Sequence, residues 1–91
     1  MAVKKTSKLI VFYGKECPNC HDMFPLVDRL EKELKIKVKK LETWHNSTNE
    51  KKRQKADQGV CGGVPFFVNE KTGDMICGAV NYRKLKKWAE G

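Results

Sequence analysis

Ninety-one residues give room for one domain around one modest core, and 40% apolar with 33% charged residues is a globular balance that excludes a disordered chain. Four cysteines are too few for a disulfide-dense secreted mini-protein, and no apolar run approaches the ~20 residues of a membrane-spanning helix. The net charge of +8 comes from lysines dispersed along the chain without interleaved aromatics, so it reads as solvated faces and not as a nucleic-acid site.

The start Met1-Ala2-Val3-Lys4-Lys5 leads into a short apolar stretch with no small-residue cleavage site, which argues against a signal peptide. A cytoplasmic setting is expected. The organisation expected is a single domain over residues 8–90, preceded by a short basic segment, 1–7. Residues 9–13, Leu9-Ile10-Val11-Phe12-Tyr13, are apolar throughout and predict a central strand covered on both faces. From Pro18 to about Lys35 the apolar positions Met23, Leu26, Val27, Leu30 and Leu34 follow helical spacing. Pro18 suits a first turn, whereas Pro25 is expected to kink the helix.

Residues 36–43 alternate Ile36, Val38 and Leu41 against lysines and predict a second strand. Ser47 with Glu50 forms a capping box for a short, very polar helix ending at Gly59. Val64 to Asn69 reads as a third strand, residues 71–74 as a turn, and Met75 to Val80 as a fourth strand closing a hairpin. Asn81 caps a last helix with Tyr82, Leu85 and Trp88 on one face. The class expected is α/β, in the order β-α-β-α-β-β-α. It has a four-stranded mixed sheet, helices on both faces and a right-handed first crossover.

The chemistry concentrates in Cys17-Pro18-Asn19-Cys20, between the first strand and the first helix. A cysteine at a helix N-terminus faces unpaired N–H groups and the positive end of the macrodipole, which favour the thiolate, the nucleophile of disulfide exchange. Cys20, one turn on, is placed to attack a mixed disulfide at Cys17. This reading of a redox dithiol requires that the two sulfurs be close and not both be buried.

The order of elements and the placed Cys-x-x-Cys resemble the thioredoxin superfamily in its minimal, glutaredoxin-like size. Three further features carry the resemblance: Val64-Pro65 after Cys61-Gly62-Gly63, Pro25 five residues after Cys20, and Ile76-Cys77-Gly78-Ala79 before the capped last helix. It implies a thioredoxin-like fold, a cis Val64-Pro65 bond, and a thiol–disulfide oxidoreductase. Cys17 would be the nucleophile and Cys20 the resolving thiol. Lys15 and Pro18 would stabilise the thiolate, and Gly63, Val64 and Pro65 would orient the substrate chain. No cofactor and no metal are expected, with glutathione as a co-substrate; Gly63 stands where glutaredoxins carry Thr. The partners implied are protein disulfides or glutathione, with a reductase or glutathione as electron source, no nucleic acid and no membrane, and a monomeric state.

The same residues fit other patterns as well. Cys17-Pro18-Asn19-Cys20-His21 is also the c-type haem attachment pattern, with Met75 as a distant ligand, but the flanking strand patterns oppose it. Two isolated cysteines do not make a zinc ribbon. A binding module without turnover, or a carrier of an iron–sulfur cluster shared through Cys17 and glutathione, is the alternative function. Cys61 is a candidate accessory thiol or glutathionylation site, and Cys77 is expected to be a small buried hydrophobe. Trp44 is expected to cap the core, and His21 to be an exposed helix residue. Glu42 and Asp57 lie in no pattern that assigns them a role.

Overall fold

Five consecutive apolar residues, Leu9–Tyr13, form β1 of a computed structural model that describes residues 8–90. The expected basic segment 1–7 lies outside the described residues. Side chains alternate across a strand, so Leu9 and Val11 enter one core and Ile10 and Phe12 another. Helix α1, Pro18–Leu34, continues through Pro25 and presents Met23, Val27 and Leu30 to the first core. β2 spans Lys39–Glu42, α2 Ser47–Asp57, β3 Phe66–Asn69, β4 Met75–Cys77 and α3 Tyr82–Glu90.

The sheet order is β2-β1-β3-β4, with β1 parallel to β2 and the other neighbours antiparallel. α1 and α3 cover one face, where Leu85 and Trp88 join Phe67 and Ile76. The Phe67 and Trp88 rings meet edge to face at 5.4 Å. The other face holds Ile10, Phe12, Phe66 and Val68, with Ala56 of α2 packed against them. The α/β fold with helices on both faces is therefore the one expected from the sequence.

Strand lengths differ from the sequence pattern for identifiable reasons. β2 starts at Lys39 and not Ile36, because Ile36 N–H bonds Glu31 O at 3.1 Å and Val38 N–H bonds the Glu31 carboxylate at 2.7 Å. Those N–H groups are taken before a ladder can use them. β3 starts after Pro65, which has no N–H to give. β4 ends at Cys77, since Val80 N–H turns to the Met23 sulfur at 3.4 Å. The N-cap of α2 is Asn46, not Ser47: its Oδ1 accepts the N–H of Asn49 at 3.0 Å. Asn81 caps α3 as expected, accepting Lys84 N–H at 2.9 Å.

α2 has almost no apolar face, and its buried residues are Arg53 and Asp57. Arg53 reaches Asp57 at 2.8 Å and Glu50 at 2.8 Å. Asp57, 1% exposed, also accepts the N–H of Cys61 and, at 2.6 Å, that of Gly62. Burial alone would raise the Asp57 pKa, but these N–H groups and Arg53 outweigh it and hold the carboxyl below its usual range. Because the folded value lies below the unfolded ~3.9, the stabilisation is present above about pH 4 and fades as pH falls through the folded value.

Asp57→Asn should therefore cost roughly 3 kcal/mol, since it leaves a buried guanidinium half-paired. Urea unfolding at pH 7 measures the loss. Repeating it toward pH 3 should show the gap between the two proteins narrowing.

Candidate active site

The turn after β1 places Cys17 at the N-cap of α1. Its N–H bonds Gly14 O at 3.0 Å, its Sγ accepts the N–H of Cys20 at 3.2 Å, and its carbonyl accepts that of His21 at 3.1 Å. The sulfur thus does what a Ser or Asp oxygen does at other helix starts. Pro18 fills the first helical position, where an N–H has no helical acceptor.

Cys17 and Cys20 are both free thiols, and both are buried, at 4% and 1% exposure. The requirement that the two sulfurs not both be buried is therefore not met in this structure, and exchange at Cys17 needs its sulfur uncovered first. Capping is the physical reason: accepting the Cys20 N–H folds the Cys17 sulfur back over the helix end. Attack at Cys17 therefore needs a target that enters a recess or displaces a neighbour. The Cys20 thiol is pushed up to about 12, by burial first and then by the Cys17 sulfur beside it, with the Gly14 backbone acting in the opposite sense.

The approach to Cys17 is held by the loop after β2, residue against residue. Thr43 gives its N–H to Tyr13 O at 2.7 Å and its hydroxyl to the same oxygen at 3.0 Å. The Trp44 indole lies on Gly14: a Cβ at Gly14 would stand 2.2 Å from Trp44 Cδ2. The Glu42 carboxylate accepts the N–H of Lys15 at 2.9 Å, Trp44 at 3.0 Å and His45 at 2.8 Å. Burial opposes ionisation of Glu42, yet those three N–H groups prevail and lower its pKa. His45 Nε2 meets Glu16 at 2.7 Å. Trp44 is thus half-exposed at the mouth of the dithiol loop, not the core cap expected.

The Val64–Pro65 bond is cis, as expected from the resemblance. β3 runs antiparallel to β1 with Phe66 opposite Phe12, so one further step sets Pro65 level with Tyr13, at the end of β1 where the dithiol loop begins. Pro65 is buried and Gly63 and Val64 are half-buried, and Pro65 O accepts Gly78 N–H at 2.9 Å. Lys15 is exposed in the turn and contributes its backbone to Glu42. His21 is exposed, with its ring edge-on to Phe24 at 5.5 Å and a ring nitrogen on Lys15 O.

Cys77 is not a buried hydrophobe. It is exposed on an edge strand and disulfide-bonded to Cys61 across 5.4 Å between Cα atoms. Facing Phe66 in the ladder puts Cys77 on the α2 side, where Cys61 packs. Nothing local pairs the two cysteines in sequence; their positions on either side of β3 are the signal that they can meet. Glu42, Trp44 and His45 were also missed as a group, and no local pattern announces them. A cavity of 480 Å³ on the α2 side, floored by Ile10, Phe12, Leu41 and Val68, has none of the dithiol residues in its lining. Among the described residues no cluster of His, Cys, Asp or Glu could hold a metal ion.

A methyl at residue 14 tests the clamp. Gly14→Ala should drive the indole off the loop, cost about 1–3 kcal/mol by overpacking, and raise acrylamide quenching of Trp44 while buried Trp88 stays protected. Unchanged quenching would show that Trp44 does not rest on Gly14.

Comparison with known proteins yields fold and no nearer kinship: no protein-family model and no curated protein matches the chain. A glutaredoxin structure from Archaeoglobus fulgidus superposes with TM-score 0.69 at 16% identity, covering 97% of this chain and 91% of that one. A mutant thioredoxin from Halobacterium salinarum gives TM-score 0.69 at 23% identity, over 97% of this chain and 77% of that one. Thioredoxin from Aeropyrum pernix gives 0.68 at 21%, over 94% and 74%. With the sheet order described above, these likenesses show that the chain has a thioredoxin-like α/β fold.

Proposed function

We propose that this protein is a small thiol–disulfide oxidoreductase that reduces or exchanges disulfides through Cys17 and Cys20. The observation that carries the reading is the capped pair itself: Cys17 Sγ takes the N–H of Cys20, while the Cys20 thiol is held protonated by burial. In this reading Cys17 serves as the nucleophile and Cys20 as the proton-bearing second thiol.

In the proposed sequence the Cys17 thiolate attacks one sulfur of a target disulfide. The target S–S bond breaks, a mixed disulfide forms at Cys17, and the departing thiolate takes a proton from solvent. Cys20 gives up its proton as it attacks Cys17 Sγ. The second target sulfur leaves and takes up that proton. The target disulfide is reduced and Cys17–Cys20 is oxidised; glutathione or a reductase then returns two electrons.

Val64 and Pro65, with Gly63, would offer backbone to an extended substrate segment at the end of β1. Lys15 adds positive charge in the turn, and the net charge of +8 would steer acidic partners or anionic thiols. The substrates proposed are protein disulfides, with glutathione as co-substrate, in a cytoplasmic monomer without cofactor.

Burial of both sulfurs favours one second reading, a docking module that uses the fold without turnover; a cluster carrier ligated by Cys17 and glutathione would need the Cys17 sulfur uncovered. A disulfide-reduction assay supplied in turn with glutathione and with a thioredoxin reductase separates the readings. Cys17→Ser should abolish turnover, and Cys20→Ser should accumulate a covalent complex with the target that dithiothreitol releases. No turnover with either electron source, with both thiols intact, leaves the docking reading. An unaltered rate in Cys20→Ser excludes the dithiol route.

A further inference from the structure

Cys61 and Cys77 arrive at one another on two separate scaffolds. Cys61 lies in the loop after α2, where the Asp57 carboxylate accepts its N–H and, at 2.6 Å, the N–H of Gly62. Asp57 is in turn fixed by Arg53 at 2.8 Å. Cys77 ends β4 opposite Phe66, and the next residue, Gly78, bonds Pro65 O at 2.9 Å. Their Cα atoms stand 5.4 Å apart, within the span a disulfide bridges without backbone movement. These polar anchors do not involve the sulfurs, so none of them depends on the bond. Cys77 is exposed and Cys61 half-buried, whereas Cys17 and Cys20 are both buried.

We infer that Cys61 and Cys77 form a second redox couple, separate from Cys17 and Cys20, which adds a covalent tie between the loop ahead of Pro65 and the edge strand when oxidised and leaves the polar anchors alone to hold it when reduced. Its oxidant is a low-molecular-weight disulfide such as glutathione disulfide, and its reductant the corresponding thiol. In closing, the more exposed Cys77 thiolate attacks the small disulfide and expels one thiolate, leaving a mixed disulfide on Cys77. Cys61 thiolate then attacks Cys77 Sγ and expels the second. Two protein thiols are oxidised, one external disulfide becomes two thiols, and the protons pass to them through solvent. Opening is the reverse, with the external thiolate entering at exposed Cys77 and Cys61 leaving.

The bridge closes a sequence separation of 16 that contains Gly63, Val64, Pro65 and all of β3. Resting on the reading above that Val64 and Pro65 orient a substrate, the state of this couple sets how freely the docking edge adjusts. In a reducing compartment such a bridge forms only when the thiol pool turns oxidising, which makes it a sensor as well as a staple.

The double variant Cys17→Ser with Cys20→Ser removes the other two sulfurs and isolates the couple. In oxidised glutathione its intact mass should fall by two hydrogens with loss of both titratable thiols. Trypsin should then release residues 56–71 and 72–83 as one cross-linked species. Reduced glutathione should restore both thiols without denaturant. The inference is overturned if both thiols stay free, if each carries its own glutathione, or if the bridge opens only in denaturant. Should the double variant fail to fold, differential alkylation and the same peptide map on the unaltered protein give the same outcomes. Because the variant has no Cys17 or Cys20, failure of the proposed oxidoreductase chemistry would leave this result untouched.

Discussion

Four consecutive residues, Glu42 to His45, hold four others, Tyr13 to Glu16, and the placement of Cys17 depends on that grip. Thr43 satisfies the last carbonyl of β1, the Trp44 ring closes over Gly14, Glu42 takes the Lys15 N–H, and His45 meets Glu16. A loop between strand and helix carries backbone groups that must find partners, and in most loops water supplies them. Here one carboxylate collects three N–H groups from two loops, so the turn is fixed relative to the sheet before α1 begins. The exposed contacts are individually weak, since the His45–Glu16 pair is more than half exposed and open to screening. Their strength lies in number and in the buried backbone of Gly14 beneath Trp44.

A second polar anchor holds the opposite flank. α2 has Ala56 as nearly its sole apolar contribution, so packing alone would dock it poorly. The Arg53–Asp57 pair and the N–H groups of Cys61 and Gly62 supply the directional constraint. Burying that pair is costly unless every lone pair is used, and Asp57 accepts from Arg53, Cys61 and Gly62. The result is a loop whose path is set by a carboxylate at its start and by the Pro65–Gly78 hydrogen bond at its end. Both loops that flank the end of β1 are therefore positioned by acids, in a chain whose surplus charge is strongly positive.

These two anchors mark the boundary of what the amino-acid order discloses. β1 was legible because five apolar residues in a row have no other economical home than a doubly covered strand, and α1 because its period is unbroken across four turns. The dithiol and its cap were legible because both are local, set within three residues of one another. The cis bond before Pro65 came through resemblance rather than pattern. What stayed hidden was non-local: Lys15 and Glu42 are separated by 27 positions, Tyr13 and Thr43 by 30. Cys77 was misjudged because alternation in a strand of three residues has no phase to count, and the edge position that exposes it is a property of the sheet. The burial of Cys17 escaped for a related reason: the same N–H that suits a sulfur at a helix start also turns that sulfur inward.

The asymmetry between the two thiols at α1 follows from where each stands on the helix and not from what it is. Cys17 lies before the first turn, its sulfur accepting the N–H of Cys20; Cys20 lies within that turn, its side chain enclosed. Burial first, and then the Cys17 sulfur beside it, hold the Cys20 proton, and negative charge on both sulfurs would add repulsion across one turn. Any chemistry that converts the Cys17 sulfur into a neutral disulfide removes that repulsion. The proton on Cys20 is then held by burial alone, and Cys20 becomes easier to ionise at the step where the proposed mechanism needs it as a nucleophile. Under the proposed mechanism Cys17 would react first and Cys20 second, without any third group to pass the proton.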